Sequence, residues 1–152
     1  MYGCCVSVSG GRKSTLTPGG NVVDNCRFTN PCLMRGGNAY GAVHVDGVGN
    51  RVSHCLIRGV REHALDCFGF DCVIEYCRAY DANLEFRDSG VFYSGCYPFS
   101  YGNTYRFNDV SGSPGLSHGI YPDDMCSGYK IYGNVIRNVG WGAVFLGGGR
   151  DN

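Results

Sequence analysis

Residues 51–59 read RVSHCLIRG, and 22 residues further along residues 73–81 read VIEYCRAYD. In both segments an apolar residue is followed three positions later by cysteine, two positions after that by a second apolar residue, and then by a residue that favours a turn. The same spacing occurs five times along the chain, so the sequence contains an internal repeat. The first apolar column is Val23, Val52, Ile74, Tyr105 and Ile131. The cysteine column is Cys26, Cys55, Cys77, Asn108 and Asn134, and the second apolar column is Phe28, Ile57, Ala79, Val110 and Ile136.

A second ladder of apolar residues lies between these repeats. Its members are Val43, Leu65, Phe92, Ile120 and Val144. Because side chains alternate between the two faces of a strand, the residues that follow them should point away from the core. Those residues are His44, Asp66, Tyr93, Tyr121 and Phe145.

The repeats predict an all-β protein, a single-stranded right-handed parallel β-helix of about five to seven coils that forms one domain over residues 1–152. Repeat spacings run from 22 to 31 residues, and glycine supplies 25 residues, which suits turns between short strands. Each repeat is too short to bury its apolar side alone, so the repeats should stack at about 4.8 Å per coil. The handedness follows from the general rule for parallel crossovers. Neither end shows a cap, and we expect a segment of a longer protein.

Charge and hydropathy exclude several partners. Basic and acidic residues both number 13, whereas a general nucleic-acid or membrane binder would show a basic excess. No apolar run approaches the roughly 20 residues that a membrane span needs. The segment Met1–Cys5 lacks the layout of a signal peptide. We therefore predict no nucleic-acid partner and no membrane partner, while the localisation and oligomeric state stay open.

Several longer strings resemble a known family. These are GGRKSTLTPGG (10–20), DSGVFY (88–93), HGIYPDDM (118–125) and GGGRDN (147–152). In this order they are similar to segments of the large secreted right-handed β-helix proteins of the pectin-lyase-like superfamily, and among them to β-helix glycosidases such as glycoside hydrolase family 141, which includes fucosidase and xylanase activities. The resemblance implies an extracellular glycoside hydrolase that acts on a polysaccharide or oligosaccharide without an organic cofactor.

The resemblance places the candidate catalytic residues at Asp88 and at the pair Asp123 and Asp124, with His118 positioned to tune a carboxylate. Glycoside hydrolysis needs two carboxyl groups about 5–5.5 Å apart in retaining enzymes or roughly 6.5–9.5 Å apart in inverting ones. An extended strand would separate Asp88 from Asp123 by about 20 Å. Either the chain turns sharply near Gly90, or Asp88 pairs instead with His63 or His118.

The candidate substrate-binding residues are Tyr93 and Tyr121, which offer an aromatic platform, together with Asp66, His44 and Arg150. His44 and Asp66 should meet across one coil step. Three alternatives remain. The Asp123–Asp124 pair suits a turn or a Ca²⁺ site equally well, and Arg150 suits a turn. The domain could also be a non-catalytic glycan-binding or structural module, or a polysaccharide lyase.

The ten cysteines do not predict a metal site. No Cys-x-x-Cys pair is present, and the histidines are not at zinc-ligand spacing, so we predict no structural metal. A column of buried thiols explains Cys26, Cys55 and Cys77 most simply. Glu75 aligns with Arg106 of the following repeat, which favours a cross-strand ion pair over a catalytic role.

Overall fold

The computed structural model describes residues 4–31, 41–95, 100–113, 115 and 117–152. In these ranges the chain forms eighteen short strands and no helix, so the fold is all-β. The described part of the chain therefore contains no helix of the length and apolarity that a membrane crossing requires.

Three parallel sheets contain sixteen of these strands. Sheet 1 consists, in spatial order, of β1 (Val6–Val8), β6 (Val43–Val45), β9 (Leu65–Cys67), β12 (Gly90–Ser94), β15 (His118–Pro122) and β18 (Gly142–Val144). Sheet 2 consists of β4 (Val22–Asp24), β7 (Arg51–Ser53), β10 (Val73–Glu75), β13 (Thr104–Arg106) and β16 (Lys130–Tyr132). Sheet 3 consists of β5 (Arg27–Thr29), β8 (Leu56–Arg58), β11 (Arg78–Tyr80), β14 (Asp109–Ser113) and β17 (Val135–Val139). The strands β2 (Gly11–Arg12) and β3 (Thr17–Pro18) form a small antiparallel hairpin.

The chain visits the three sheets in turn, and each strand pairs with the strand three positions later along the sequence from β4 onward. We call one visit to all three sheets a pass. Successive passes therefore lie side by side, and equivalent residues of neighbouring passes become direct neighbours. Each pass contributes three strands, one to each sheet.

The register confirms the predicted columns. Val52 pairs with Val23 on one side and with Ile74 on the other, and Ile74 pairs in turn with Tyr105. The second apolar column and the ladder in sheet 1 are aligned in the same way. These side chains form the core, in which Val52, Ile74 and Ile57 have no solvent exposure.

The cysteine column continues as a buried asparagine ladder. The Cys77 amide donates to Asn108 Oδ1 at 2.9 Å, and the Asn108 amide donates to Asn134 Oδ1 at 3.0 Å. Each amide side chain thus satisfies a backbone donor at the corner between sheets 2 and 3, which would otherwise be buried without a partner. Every described cysteine is a free thiol; Cys32 and Cys96 lie outside the described residues.

The predicted ion pair of Glu75 is also confirmed. Arg106 Nε lies 2.6 Å from Glu75 Oε2, and Arg51 Nε from the preceding pass lies 2.9 Å from Oε1. Glu75 is only 2% exposed. Two guanidinium groups therefore compensate one buried carboxylate.

Candidate functional site

The outer side of sheet 1 carries several polar and aromatic side chains that are largely buried. The outward-pointing residues predicted from strand alternation do not form an open surface: Asp66, Tyr93 and Tyr121 are 0%, 8% and 5% exposed. They are covered by rings and loops that precede and follow the strands. We call this region the sheet 1 face and define it by His44, His63, Asp66, Tyr93, His118, Tyr121 and Asp123.

His44 and Asp66 meet across one step between passes, as their register predicted. His44 Nδ1 lies 2.5 Å from Asp66 Oδ2, and the backbone amide of Gly41 donates to Asp66 Oδ1. A buried aspartate on Nδ1 fixes the orientation of the imidazole ring, an arrangement that enzymes also use for bases. Their predicted role in substrate binding stays a prediction.

Next to this pair, His63 and Tyr93 contact each other. Their rings stack at 4.4 Å with planes 6° apart, and Ser89 Oγ lies 2.7 Å from His63 Nδ1. Burial lowers the pKa of His63, although Asp66 and the Gly90 carbonyl partly oppose this shift. The Tyr93 hydroxyl donates to Asp123 Oδ2 at 3.1 Å. Tyr93 therefore links this imidazole to one of the candidate catalytic carboxylates.

His118 occupies the following pass, in register with Gly90 and Gly142. Its ring stacks on Phe145 at 4.6 Å and contacts Tyr121 and Trp141 at 5.0 and 5.3 Å. Its Nδ1 atom is buried and has no hydrogen-bond partner among the described residues. Burial lowers the pKa of His118 despite the opposing charges of Asp88 and Asp123, so the ring is neutral at pH 7.

Asp123 follows β15 and lies between two glycines of neighbouring passes. A Cβ atom on Gly147 would overlap its Oδ1 atom, and one on Gly95 would crowd its Cβ at 2.9 Å. Burial raises the pKa of Tyr121, and the hydrogen bond to Asp123 raises it further. The two glycines thus leave the space into which the Asp123 carboxylate fits.

Asp88 lies on the loop before β12. Its backbone is left-handed at a φ of 52°, two residues before Gly90, where the strand begins. Its carboxylate is exposed, and its charge raises the pKa of both His118 and Tyr121. The expected separation is present, because β12 runs extended from Gly90 to Ser94 in register with β15, so Asp88 precedes one end of this strand pair and Asp123 follows the other.

The remaining predicted residues lie at the margin. Asp124 is exposed with a φ of 52°, and its amide donates to Asp123 Oδ1 at 2.7 Å. The charge of Asp124 raises the pKa of Tyr121. Arg150 is exposed and contacts Asp151 and Ser127. His118 and Asp123 thus lie at opposite ends of β15, Asp88 lies on the loop before β12, and Arg150 contacts Asp151 and Ser127 instead.

Sequence reasoning missed two contributors. Ser89 holds His63, and Asn83 Oδ1 accepts a hydrogen bond from Ser89 Oγ at 3.0 Å. Trp141 covers His118. The available signals were the position of Ser89 inside the DSG string and the position of Trp141 directly before Gly142, which aligns with His118.

Cation sites are not evident in the described ranges, where no group of three or more His, Cys, Asp or Glu side chains is placed to hold a metal ion. The Ca²⁺ alternative for Asp123 and Asp124 stays a prediction. No family model, curated protein or solved structure matches this chain.

Proposed function

We propose that the three parallel sheets form a right-handed parallel β-helix of the pectin-lyase-like type. The alternation of the sheets along the chain and the pairing of each pass with the previous one support this proposal. Parallel connections are right-handed in nearly all known cases. Such a fold presents one long face along its axis, which suits an extended polymer.

We further propose that the protein is a glycoside hydrolase that cleaves a polysaccharide on the sheet 1 face, with Asp88 and Asp123 as the two carboxyl groups. The observation that carries this proposal is the setting of Asp123, which accepts a hydrogen bond from Tyr93 and fits between Gly95 and Gly147 of neighbouring passes. Two carboxyl groups in different environments are what glycosidic cleavage needs.

The two carboxylates differ in the way that acid and base roles require. Asp123 accepts hydrogen bonds from Tyr93 and from the Asp124 amide, which fix the orientation of its carboxylate. Asp88 is exposed on a loop and can approach a bound chain. We assign Asp123 to the carboxylate that stays ionised and Asp88 to the group that exchanges a proton with the substrate.

The rings beside these acids supply the binding surface. Trp141 and Phe145 are both about half exposed and lie against His118. Exposed aromatic rings offer an apolar face on which a sugar ring can pack. The neutral state of His118 keeps a further positive charge away from the carboxylates.

The charge of the face argues against a polysaccharide lyase. None of the six strands of sheet 1 contains lysine or arginine. A lyase needs a cation to neutralise a uronate and a basic residue to abstract a proton. Hydrolysis of a neutral glycan makes neither demand.

The test is hydrolysis of a panel of neutral and acidic polysaccharides by the unmodified chain and by Asp88→Asn, Asp123→Asn and His118→Asn variants. General acid–base groups contribute about 10²–10⁴-fold, so each Asp variant should lose at least about 100-fold in the rate of reducing-end release. Asp81→Asn is the matched control. Asp81 is an exposed corner residue at a φ of 54°, and asparagine occupies the equivalent corners at Asn30 and Asn138.

Each outcome discriminates between functions. Loss in both Asp variants with an active control supports hydrolysis. Products with unsaturated ends would show a lyase and overturn the proposal. Saturable binding of a glycan with no cleavage would indicate a non-catalytic module.

A further inference from the structure

A row of exposed aromatic rings runs along the corner between sheets 2 and 3, away from the sheet 1 face. We call it the corner row; it consists of His54, Tyr76, Phe107 and Tyr132. His54 stacks on Tyr76 at 5.2 Å, Tyr76 stacks on Phe107 at 5.3 Å, and Tyr132 meets Phe107 edge-on at 5.5 Å. Tyr76, Phe107 and Tyr132 are 50%, 44% and 44% exposed.

The left-handed backbone at these corners does not explain why they carry bulky rings. His54, Tyr76 and Phe107 have φ values of 51°, 52° and 56°, whereas the equivalent corners of the flanking passes carry Asn25 and Gly133. A bulky residue in this conformation is strained, and asparagine or glycine largely avoids that strain. Stacking between the rings offsets only part of this cost. Stability alone therefore favours small residues at these corners, and an exposed apolar row points to a partner.

The strands on either side of the corner row are basic. The ten strands of sheets 2 and 3 carry seven basic residues and only three acidic ones, although the whole chain is neutral. The basic residues are Arg27, Arg51, Arg58, Arg78, Arg106, Lys130 and Arg137. This region thus has four more positive than negative charges, and the rest of the chain has the corresponding negative excess.

The carboxylates hold the arginines in fixed rows. Glu75 is shared by Arg51 and Arg106. Asp109 is shared by Arg78, at 3.4 Å, and Arg137, at 3.0 Å. Each trio retains one net positive charge, and its two guanidinium groups come from strands two passes apart, about 10 Å along the stack. The guanidinium groups are therefore pre-organised for an extended anionic polymer, which lowers the entropy cost of binding.

We propose that the corner row and its flanking arginines bind a carboxylated polysaccharide that lies along the stack of passes. Arg51, Arg78 and Arg106 already pair with carboxylates, which guanidinium groups can bind in a bidentate manner. The edges of the rings and the hydroxyl groups of Tyr76 and Tyr132 contact the sugar rings. This site does not depend on hydrolysis at the sheet 1 face.

The geometry disfavours a nucleic-acid strand. Binding of single strands relies on bases that stack on open aromatic faces. In the corner row the faces of Tyr76 are covered by His54 on one side and by Phe107 on the other. Only the edge of the Tyr76 ring is therefore presented to a ligand.

The experiment compares carboxymethyl cellulose with hydroxyethyl cellulose, which share a backbone and differ in charge. Binding is measured by affinity electrophoresis and by titration calorimetry over a range of NaCl concentrations. The carboxylated polymer should bind at least 10-fold more tightly than the neutral one, and the difference should shrink as salt screens the charges. Cellulose sulfate and a single-stranded oligonucleotide serve as further anionic probes.

Variants locate the site. The Tyr76→Asn/Phe107→Asn double variant should lose at least 10-fold in affinity and keep its thermal stability, because asparagine tolerates the left-handed corner. Lys130→Gln should weaken binding by a few-fold. Controls are Leu84→Asn for an exposed apolar side chain and Arg12→Gln for an exposed charge elsewhere. Unchanged affinity of the double variant, equal binding of the neutral polymer, or tighter binding of the sulfate or the oligonucleotide would overturn the proposal.

Discussion

The sheet 1 face and the corner between sheets 2 and 3 differ in the groups that compensate their buried carboxylates. At the corner, the buried Glu75 carboxylate is compensated by two guanidinium groups from neighbouring passes. At the sheet 1 face, Asp66 is equally buried, yet its partners are a histidine and a backbone amide. Buried His118 keeps one nitrogen without a partner among the described residues.

The difference separates a region whose buried carboxylate is fully paired from the region where we propose the chemistry. Buried charges in stable proteins are paired, and unpaired or shifted groups concentrate at functional sites. Both regions rest on the same core and the same pass spacing, so the fold does not cause the contrast. The side chains on the outer faces cause it.

The largest expected effect is a contrast between two variants. Substitution of Glu75 should lower stability, whereas substitution of Asp123 should remove activity. Glu75→Ala should lower the free energy of unfolding by about 2–3 kcal/mol, because it leaves two guanidinium groups without their buried carboxylate. Asp123→Asn should change it by less than about 1 kcal/mol while abolishing activity. Urea denaturation measures both variants. Equal destabilisation by the two would remove the distinction drawn here.

The next largest effect is expected on the rate of hydrolysis when the glycines beside Asp123 are replaced. Gly147→Ala and Gly95→Ala both place a methyl group against Asp123 or Tyr93. Displacement of a catalytic group by about 1 Å can cost roughly 100-fold, so hydrolysis should fall by about 10–100-fold in each variant. Steady-state kinetics should show the loss mainly in kcat. Full activity in either variant would contradict the assignment of Asp123.

The pH dependence of stability should come mainly from the sheet 1 face. Burial lowers the pKa values of His63 and His118 in the folded state. As pH falls below about 6.5, the unfolded chain binds protons that the folded chain resists, so stability should decrease. The His63→Gln/His118→Asn double variant should flatten a plot of melting temperature between pH 7 and pH 5. If the double variant kept the same dependence of melting temperature on pH, groups other than His63 and His118 would be responsible for it.

The smallest effect is expected at an exposed pair beside the corner row. Asp24 accepts hydrogen bonds from Ser53 and His54, which lower its pKa. Because the pair is exposed, Asp24→Asn should change stability far less than Glu75→Ala does. Chemical denaturation at low and high salt provides the measurement, and a change as large as that of Glu75→Ala would refute this ranking.

The repeat columns could be predicted from sequence because inward positions require apolar or amide side chains in every pass. Val52, Ile74 and Tyr105 therefore align as expected. Burial of the outward residues could not be predicted. It depends on rings such as His63 and Phe145, which reach Tyr93 and Tyr121 across passes. Strand alternation shows which way a side chain points but not what covers it.

The left-handed backbone of Asp88 was equally hidden, because aspartate in a loop signals that conformation only weakly. The ion pair of Glu75 was predictable because both partners lie on strands in known register. Sites that depend on loops escape pattern reasoning more readily than sites on strands.

The pairing of each pass with the one before it makes the molecule modular in length. Val43 and Leu65 are equivalent positions 22 residues apart, so the segment 43–64 corresponds to one complete unit. Duplicating this unit would lengthen the binding face by about 4.8 Å without altering the spacing of Asp88 and Asp123. Under the proposed function, the length of polymer accommodated could therefore change independently of the chemistry.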